Sequence, residues 1–392
     1  MRTAENKCGY LSIMIKHTPF AKPIYVTKPV LPGLDQFTHQ LRDIWESRWL
    51  TNGGPQHQEL ERRLTKLLKT PGLSLFNNGT IALVTAIQSL RLSGEVITTP
   101  FTFPATAHVL AWNGIKPIFC DIDPVTMNID ASKIEGMITP KTTGVLAVHV
   151  FGTPCDVLQI QNIADMYGLR VVYDGAHAFM VEVHDKGIGC FGDVTMFSFH
   201  ATKLYHTAEG GALTYNDSNL KKRIDLLKNF GIKNENEVMM PGINGKMNEI
   251  QAALGILMLD ELEKERLLRK QVLEGYKAHL EGIEGISFLP PSQADVDSFQ
   301  YFPIRIDAEK FGFSRDHVYE KLKAFNVFTR KYFFPLCSQY ACYRQLESAS
   351  PQNLPVANKV VKEVLCMPFY GDLATEDVEK ICSILLSMKA SR

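Results

Sequence analysis

The sequence predicts an α/β fold, with a large, mostly parallel sheet covered by helices and a smaller C-terminal α+β domain. Up to about residue 260, short apolar runs alternate with helical stretches, which is the rhythm of β-α-β units. After Gly255 a long charged helical stretch begins, and strands become fewer. At 392 residues the chain is also too long for one small core.

Each element is predicted from its hydrophobic period. Apolar residues every three or four positions predict helices, and short apolar runs bounded by turn residues predict strands. The predicted helices are 34–50, 56–68, 80–90, 106–113, 157–167, 257–279, 315–325 and 375–388. The predicted strands are 73–76, 95–98, 116–120, 144–148, 169–173, 194–198 and 211–215.

The domain boundary is predicted in or just after the long helix, which gives a large domain over 23–260 and a small one over 261–392. Recognisable patterning begins only near Pro23, so residues 1–22 are predicted to be a flexible extension, and Met14 is a possible initiator. Neither a signal-peptide core nor the roughly 18 apolar residues of a membrane span is found.

Charge and cysteine content narrow the function classes. The 42 basic and 42 acidic residues cancel, so no global charge attracts nucleic acid or a membrane surface. The eight cysteines form no C-x-x-C pair, which predicts reduced thiols with neither a disulfide framework nor a zinc or other metal site. We therefore expect a cytoplasmic protein.

Two residues near strand ends carry the strongest chemical signal. Asp174 ends the apolar run VVYD, and Lys203 ends the later run FSFHATK. A lysine amine can form a Schiff base with the aldehyde of pyridoxal 5′-phosphate (PLP), and a carboxylate can pair with the pyridine nitrogen. Most lysines are solvated surface charges, but this pair in this order predicts a PLP enzyme.

A phosphate cradle is predicted in the run NNGTIAL at 77–83, which follows a strand and opens a helix. Gly79 lets the backbone approach an anion, the first helical turn presents free N–H groups, and the Thr80 hydroxyl can add a hydrogen bond. Ser198, at the end of a strand, could reach the phosphate or Lys203. An ordinary N-capped helix is the alternative for this run.

Three further features are compatible with the same cofactor. Phe103 could lie flat on the pyridine ring, and His177 could pack on the ring or hydrogen-bond its phenolic oxygen, although both residue types are common in cores. The turn PGINGKM at 241–247 offers a second anion-binding turn with Asn244 and Lys246 as donors. A plain surface turn is equally compatible with that run.

From about Pro23 to its end, the chain resembles the DegT/DnrJ/StrS family of PLP-dependent nucleotide-sugar aminotransferases, which have the aspartate aminotransferase fold (fold type I). The resemblance implies that Lys203 binds the cofactor covalently, Asp174 holds the pyridinium and His177 contacts the ring hydroxyl. The other implied contacts are Phe103 on the ring, Thr80, Ile81 and Ser198 on the phosphate, Asn244 on the phosphate of the neighbouring subunit, and Lys246, Arg330 and Tyr332 near the substrate. The match at Asn244 implies a homodimer with shared active sites.

The form SFHATK with the later EGG at 209–211 resembles family members that aminate C4 of a 4-keto-6-deoxyhexose. This implies transfer of the amino group of L-glutamate to a dTDP-4-keto-6-deoxyhexose, giving dTDP-4-amino-4,6-dideoxyglucose for O-antigen, lipopolysaccharide or other glycan synthesis. The chain departs from the family's commoner N-x-R-M form at Lys246, which keeps the charge but loses the forked geometry of arginine.

Three alternatives to this function differ in how the sequence supports them. C3 amination of a 3-keto sugar would use the same residues. A catalytically inactive regulator that binds PLP or a sugar nucleotide is a second alternative, but no basic helix-turn-helix segment supports it. A doubly wound dehydrogenase is not supported, because no G-x-G-x-x-G directly follows a predicted strand.

Overall fold

The computed structural model describes residues 17–290 and 294–390. Residues 1–16 of the predicted flexible extension lie outside the described residues. The rest of the extension is docked, because Phe20 is buried and its N–H donates to the Phe325 carbonyl at 3.0 Å. The packed part of the chain therefore begins before Pro23.

The described part of the chain alternates helices and strands in its first two thirds. The strands are Ile24–Tyr25 (β1), Gly72–Phe76 (β2), Glu95–Thr98 (β3), Lys116–Phe119 (β4), Thr142–Val148 (β5), Arg170–Asp174 (β6), Glu182–Val183 (β7), Lys186–Gly187 (β8), Val194–Ser198 (β9), Gly211–Tyr215 (β10), Ile232–Asn234 (β11), Glu237–Val238 (β12), Ile286–Phe288 (β13), Phe302–Ile306 (β14), Val327–Phe328 (β15) and Val364–Met367 (β16). The α-helices are Leu34–Ser47 (α1), Pro55–Leu67 (α2), Gly79–Ser89 (α3), Pro104–Trp112 (α4), Ala131–Ile134 (α5), Val157–Tyr167 (α6), Ser218–Leu227 (α7), Glu249–Leu280 (α8), Ala308–Phe311 (α9), Arg315–Ala324 (α10), Pro355–Val360 (α11) and Thr375–Ala390 (α12).

The large sheet has seven strands in the order β2-β10-β9-β6-β5-β3-β4. It is parallel except for β10, which pairs antiparallel with both β2 and β9. Its inner strands are buried along almost their whole length, as near-continuous apolar runs in a sheet covered on both faces require. The predicted mostly parallel α/β fold is confirmed.

One edge of this sheet collects the chemically interesting residues. Parallel strands end on the same side, so Asp174 at the end of β6 and Ser198 at the end of β9 lie at the same edge. Helices α3 and α4 also begin at this edge, because each follows a parallel strand. Ligands in open α/β sheets bind beyond this carboxyl edge.

The first core packs on the large sheet, and a second core lies around the antiparallel sheet β13-β14-β16. Helix α8 serves both cores, since Leu262 packs in the first and Val272 in the second. The N-terminal segment also belongs here, because β1 pairs with β15 at Ile24 and Val327, although we assigned residues from 23 onward to the large domain. The boundary near 260 stays a prediction.

The two predicted helix ends that differ most from the structure do so for local reasons. Helix α1 ends three residues early, because Arg48 adopts the left-handed conformation that terminates helices. Helix α8 begins at Glu249 rather than at residue 257, because Asn248 and Gln251 form a capping box that starts it there. Within the described ranges, no helix has the length and apolarity that a membrane span needs.

Candidate active site

A cavity of about 850 Å³ opens at the carboxyl edge of the large sheet. Ten of the twelve predicted site residues line it, namely Gly79, Thr80, Ile81, Phe103, Asp174, His177, Ser198, Lys203, Arg330 and Tyr332. They come from both cores, and the sheet edge brings them to one place.

Lys203 lies in the connection between β9 and β10. This connection is closed at its base, where the Phe199 N–H donates to the Gly210 carbonyl at 2.9 Å. Burial, partly offset by attraction to Asp174, lowers the pKa of the Lys203 amine to about 8. Near neutral pH, a far larger share of this amine is unprotonated than in an exposed lysine, as a nucleophile requires.

Asp174 is a buried carboxylate held on two sides. Its Oδ2 accepts a hydrogen bond from the Thr106 hydroxyl at 2.8 Å, and its Oδ1 accepts one from the Ala176 N–H at 3.0 Å. Burial raises the pKa of the Asp174 carboxyl, while these two donors and the Lys203 charge oppose that rise. A fixed, desolvated carboxylate of this kind suits a cationic ring nitrogen.

His177 is fixed as a neutral ring. Its Nδ1 accepts a hydrogen bond from the Phe151 N–H at 3.3 Å, which leaves Nε2 as the protonated nitrogen. Burial, with a smaller effect from Lys203, places the pKa of His177 well below its usual value. The ring lies parallel to that of Phe333, with centroids 5.9 Å apart, and edge-on to Tyr301 at 5.0 Å. It can therefore donate one hydrogen bond from Nε2.

The start of α3 forms a close-packed cradle. The Asn78 side chain caps the helix by accepting from the Ile81 N–H at 2.8 Å. A Cβ on Gly79 would lie 3.1 Å from the Ser198 Cβ, and a Cβ on Gly211 would lie 2.8 Å from the Gly79 nitrogen. Glycine at 79 and 211 thus lets the ends of β9 and β10 touch the first turn of α3. The Ser198 and Thr80 hydroxyls and the free first-turn N–H groups then lie together, as an anion site needs.

The rim of the cavity is aromatic and basic. Phe103, the residue before α4, has 57% of its side chain exposed, and Arg330 is exposed as well. Tyr332 is half-buried and lies edge-on to Tyr301, with ring centroids 5.5 Å apart. The rim therefore offers a ring face and a cation to a ligand.

Asn244 and Lys246 do not line this cavity. Asn244 is exposed, and the Lys246 Nζ donates to the Asn229 Oδ1 at 2.7 Å. Lys246 lines a separate cleft of about 760 Å³ that lies beside α2 and α7. The action of Asn244 in a neighbouring subunit's site and the place of Lys246 near the substrate stay predictions.

Sequence reasoning missed several residues that touch the predicted ones. Thr106 binds the Asp174 carboxylate, and the Tyr301 ring lies 5.7 Å from the Lys203 Nζ. Thr106 carried a weak signal, since it stands in the first turn of a helix that follows a strand. Tyr301 carried none, because it stands about a hundred residues after Lys203 in the chain, just before β14.

The cavity fits PLP by the kinds of group it presents. It offers a reactive amine for the aldehyde, a buried carboxylate for the ring nitrogen, a donor in His177 for the phenolic oxygen and a cradle for the phosphate. The residues that would hold each part of the cofactor lie on different elements of one wall.

Comparisons with known proteins identify relatives over most of the chain. The model of the DegT/DnrJ/EryC1/StrS aminotransferase family matches residues 34–386. A dTDP-4-amino-4,6-dideoxy-D-glucose transaminase of Escherichia coli is 49% identical over 93% of this chain and 98% of its own length. A protein of the same name from Shigella dysenteriae is 44% identical over 94% of this chain and all of its own length. The structure of DesI, described in the presence of its TDP-sugar product, matches with a TM-score of 0.90 and 34% identity over 96% of this chain and 95% of that one.

Proposed function

Because the chain belongs to the DegT/DnrJ/EryC1/StrS aminotransferase family, we propose that it transfers an amino group from L-glutamate to C4 of a dTDP-linked 4-keto-6-deoxyhexose. The favoured acceptor is dTDP-4-keto-6-deoxy-D-glucose, which becomes dTDP-4-amino-4,6-dideoxyglucose. The C4 position is favoured over C3 by the two relatives whose names specify it.

The observation that carries the proposal is the pairing of the Lys203 amine with the Asp174 carboxylate in one cavity. When bound, PLP supplies an aldehyde that exchanges amino groups and a ring that withdraws electrons. Asp174 would hold the protonated ring nitrogen, and Phe103 would cover the ring. Lys203 would hold the cofactor and would serve as the base that moves a proton at the substrate carbon.

The remaining roles follow from position in the cavity. We assign the phosphate to the first turn of α3 with Thr80, Ile81 and Ser198, and the ring hydroxyl to His177. Arg330 and Tyr332 at the rim are assigned to the substrate. An inactive regulator is disfavoured by the two relatives, both of which are named as transaminases.

A homodimer is part of the proposal. Large apolar side chains are exposed near the end of α1 and around the β11–β12 hairpin, which precedes Asn244. These are Trp45, Trp49, Phe230, Val238 and Met239. Exposed apolar surface of this kind marks protein interfaces. A second copy covering it would carry Asn244 and Lys246 toward a neighbouring cavity.

A cytoplasmic location is also proposed. The seven cysteines in the described ranges are all free thiols, and five of them are buried. Unpaired thiols in a chain of this size are typical of a reducing compartment.

Absorbance spectra through the two half-reactions test the proposal. L-Glutamate should bleach the visible band of the PLP-loaded protein, and only a dTDP-linked 4-keto-6-deoxy sugar should restore it, with UDP- and GDP-linked sugars as controls. NMR of the product then locates the amine on C4 or C3. Bleaching without recovery by any sugar would overturn the acceptor, and failure of Lys203 to bind PLP would overturn the whole proposal.

A further inference from the structure

Gln300 makes two hydrogen bonds to the backbone on either side of Lys203. Its side-chain Oε1 accepts from the Leu204 N–H at 2.7 Å, and its Nε2 donates to the Thr202 carbonyl at 3.1 Å. Gln300 is 2% exposed, so water does not compete for these contacts. One amide thus clasps the peptide groups that flank the cavity lysine.

The clasp is itself anchored from the long helix α8. The Arg269 guanidinium donates to the carbonyls of Phe299 and Gln300 at 3.2 and 3.4 Å. Its Nε donates to the Glu265 carboxylate at 2.6 Å, and that carboxylate also accepts from the Gly371 N–H at 3.0 Å. Arg269 and Glu265 are both buried. The support of Gln300 is therefore a closed network between the two cores.

The residue after Gln300 completes the arrangement. The Tyr301 ring lies 5.7 Å from the Lys203 Nζ and edge-on to His177. A shift of the irregular segment that carries Gln300 and Tyr301 into β14 would therefore move both the backbone and the side-chain surroundings of Lys203.

We propose that Gln300 is a positioning residue that holds the half-buried Lys203 side chain in its place in the cavity by clasping the backbone on both sides of it. The inference rests on the proposed function, since it concerns the lysine that captures PLP. In that capture the neutral amine adds to the cofactor aldehyde, a carbon–nitrogen double bond forms and one water leaves.

Loss of the clasp has an electrostatic consequence. Burial is the main reason why the Lys203 pKa is low, so a loosened connection that admits water moves this pKa upward. The charged or titratable groups that line the cavity with Lys203 are Asp174, His108, His177, His200, Glu209, Tyr301, Arg330 and Tyr332. A substitution at Gln300 removes none of these groups, so a shift in the pH profile reports on the placement of Lys203 among them.

The test compares Gln300→Met with the wild type as full-length protein freed of cofactor. The rate of PLP capture is followed by absorbance from pH 6 to 10, and borohydride reduction with mass spectrometry locates the cofactor on Lys203. Pyridoxamine 5′-phosphate, which has no aldehyde, measures the intact pocket independently. We expect capture at pH 7 to be at least about 10-fold slower, the deficit to fall below about 3-fold at pH 10, and pyridoxamine phosphate affinity to stay within about 3-fold, as an upward pKa shift of one or more units requires.

Two further variants make the result decisive. Thr214→Val removes a buried hydroxyl that donates to the Gly189 carbonyl at the opposite end of β10, and it should not move the pH profile. Arg269→Lys keeps the charge but loses the forked contact to the carbonyls of Phe299 and Gln300, and it should move the profile in the same direction as Gln300→Met. If Gln300→Met does not fold, the pH profile of Arg269→Lys tests the clasp in its place.

The outcomes separate the inference from the function on which it rests. A wild-type protein that never attaches PLP to Lys203 would overturn both. Normal capture by the wild type, with a Gln300→Met profile that superimposes on it or a deficit that is equal at every pH, would overturn the clasp and leave the aminotransferase intact.

Discussion

Replacing Lys203 by methionine should stabilise the cofactor-free protein at neutral pH. Lys203 has a pKa of about 8 when folded, against an ordinary 10.5, so the folded protein binds this proton more weakly than the unfolded chain does. At about 1.4 kcal/mol for each pH unit of that difference, the buried charge costs about 3 kcal/mol of unfolding free energy at pH 7. Methionine has a similar length and carries no charge.

The stability gained by Lys203→Met should decrease as the pH rises above 8. Below pH 8 the lysine is charged in both states, and the full cost applies. Above pH 8 the folded state releases its proton while the unfolded chain keeps it, so the cost shrinks as pH approaches 10.5. The advantage of Lys203→Met should therefore fall from at most about 3 kcal/mol at pH 7 to at most about 1.4 kcal/mol at pH 9.5. Loss of the Lys203 attraction at Asp174 makes these figures upper limits.

Urea denaturation of the two cofactor-free proteins at pH 7 and 9.5, followed by tryptophan fluorescence, measures the difference. Lys270→Met, at an exposed position on the same chain, is the control and should change stability by less than about 0.5 kcal/mol at either pH. A Lys203→Met protein that is less stable than the wild type at pH 7, or whose advantage grows with pH, would refute a buried amine with a lowered pKa.

Three other changes probe the rest of the site. Thr106→Val removes the hydroxyl that donates to Asp174, so the pKa of that carboxyl should rise further. We expect kcat to fall about 10-fold and the acid limb of the pH profile of kcat to move to higher pH. Gly79→Ala places a Cβ 3.1 Å from the Ser198 Cβ, and calorimetry should show weaker binding of pyridoxamine phosphate together with a loss of about 1–3 kcal/mol in stability. Phe230→Asp puts a charge on the exposed apolar surface, so the molar mass measured by light scattering should drop from that of a dimer to that of a monomer. Turnover should be lost as well if Asn244 acts across the interface.

The sheet and its order of elements were predictable because each element has a local signal. The buried strands β3, β9 and β10 are short apolar runs, and their predicted bounds match the structure. Errors arose where a terminus depends on capping, as at Asn248, whose side chain caps α8 eight residues before the predicted start. The N-terminal segment was assigned to the wrong core because the pairing of β1 with β15 joins residues about three hundred positions apart.

The chemistry of the site was predictable only where a residue has a local signal in the sequence. Asp174 and Lys203 stand near the ends of strands, where the fold class alone places them at one edge. What sets their reactivity is different in kind: Thr106, Gln300 and Tyr301 act on them across elements that no periodic pattern connects. A lysine is made reactive by desolvation, and desolvation is a property of everything that surrounds it. Local sequence can therefore identify the reactive residue, whereas its pKa depends on how distant segments of the chain pack around it.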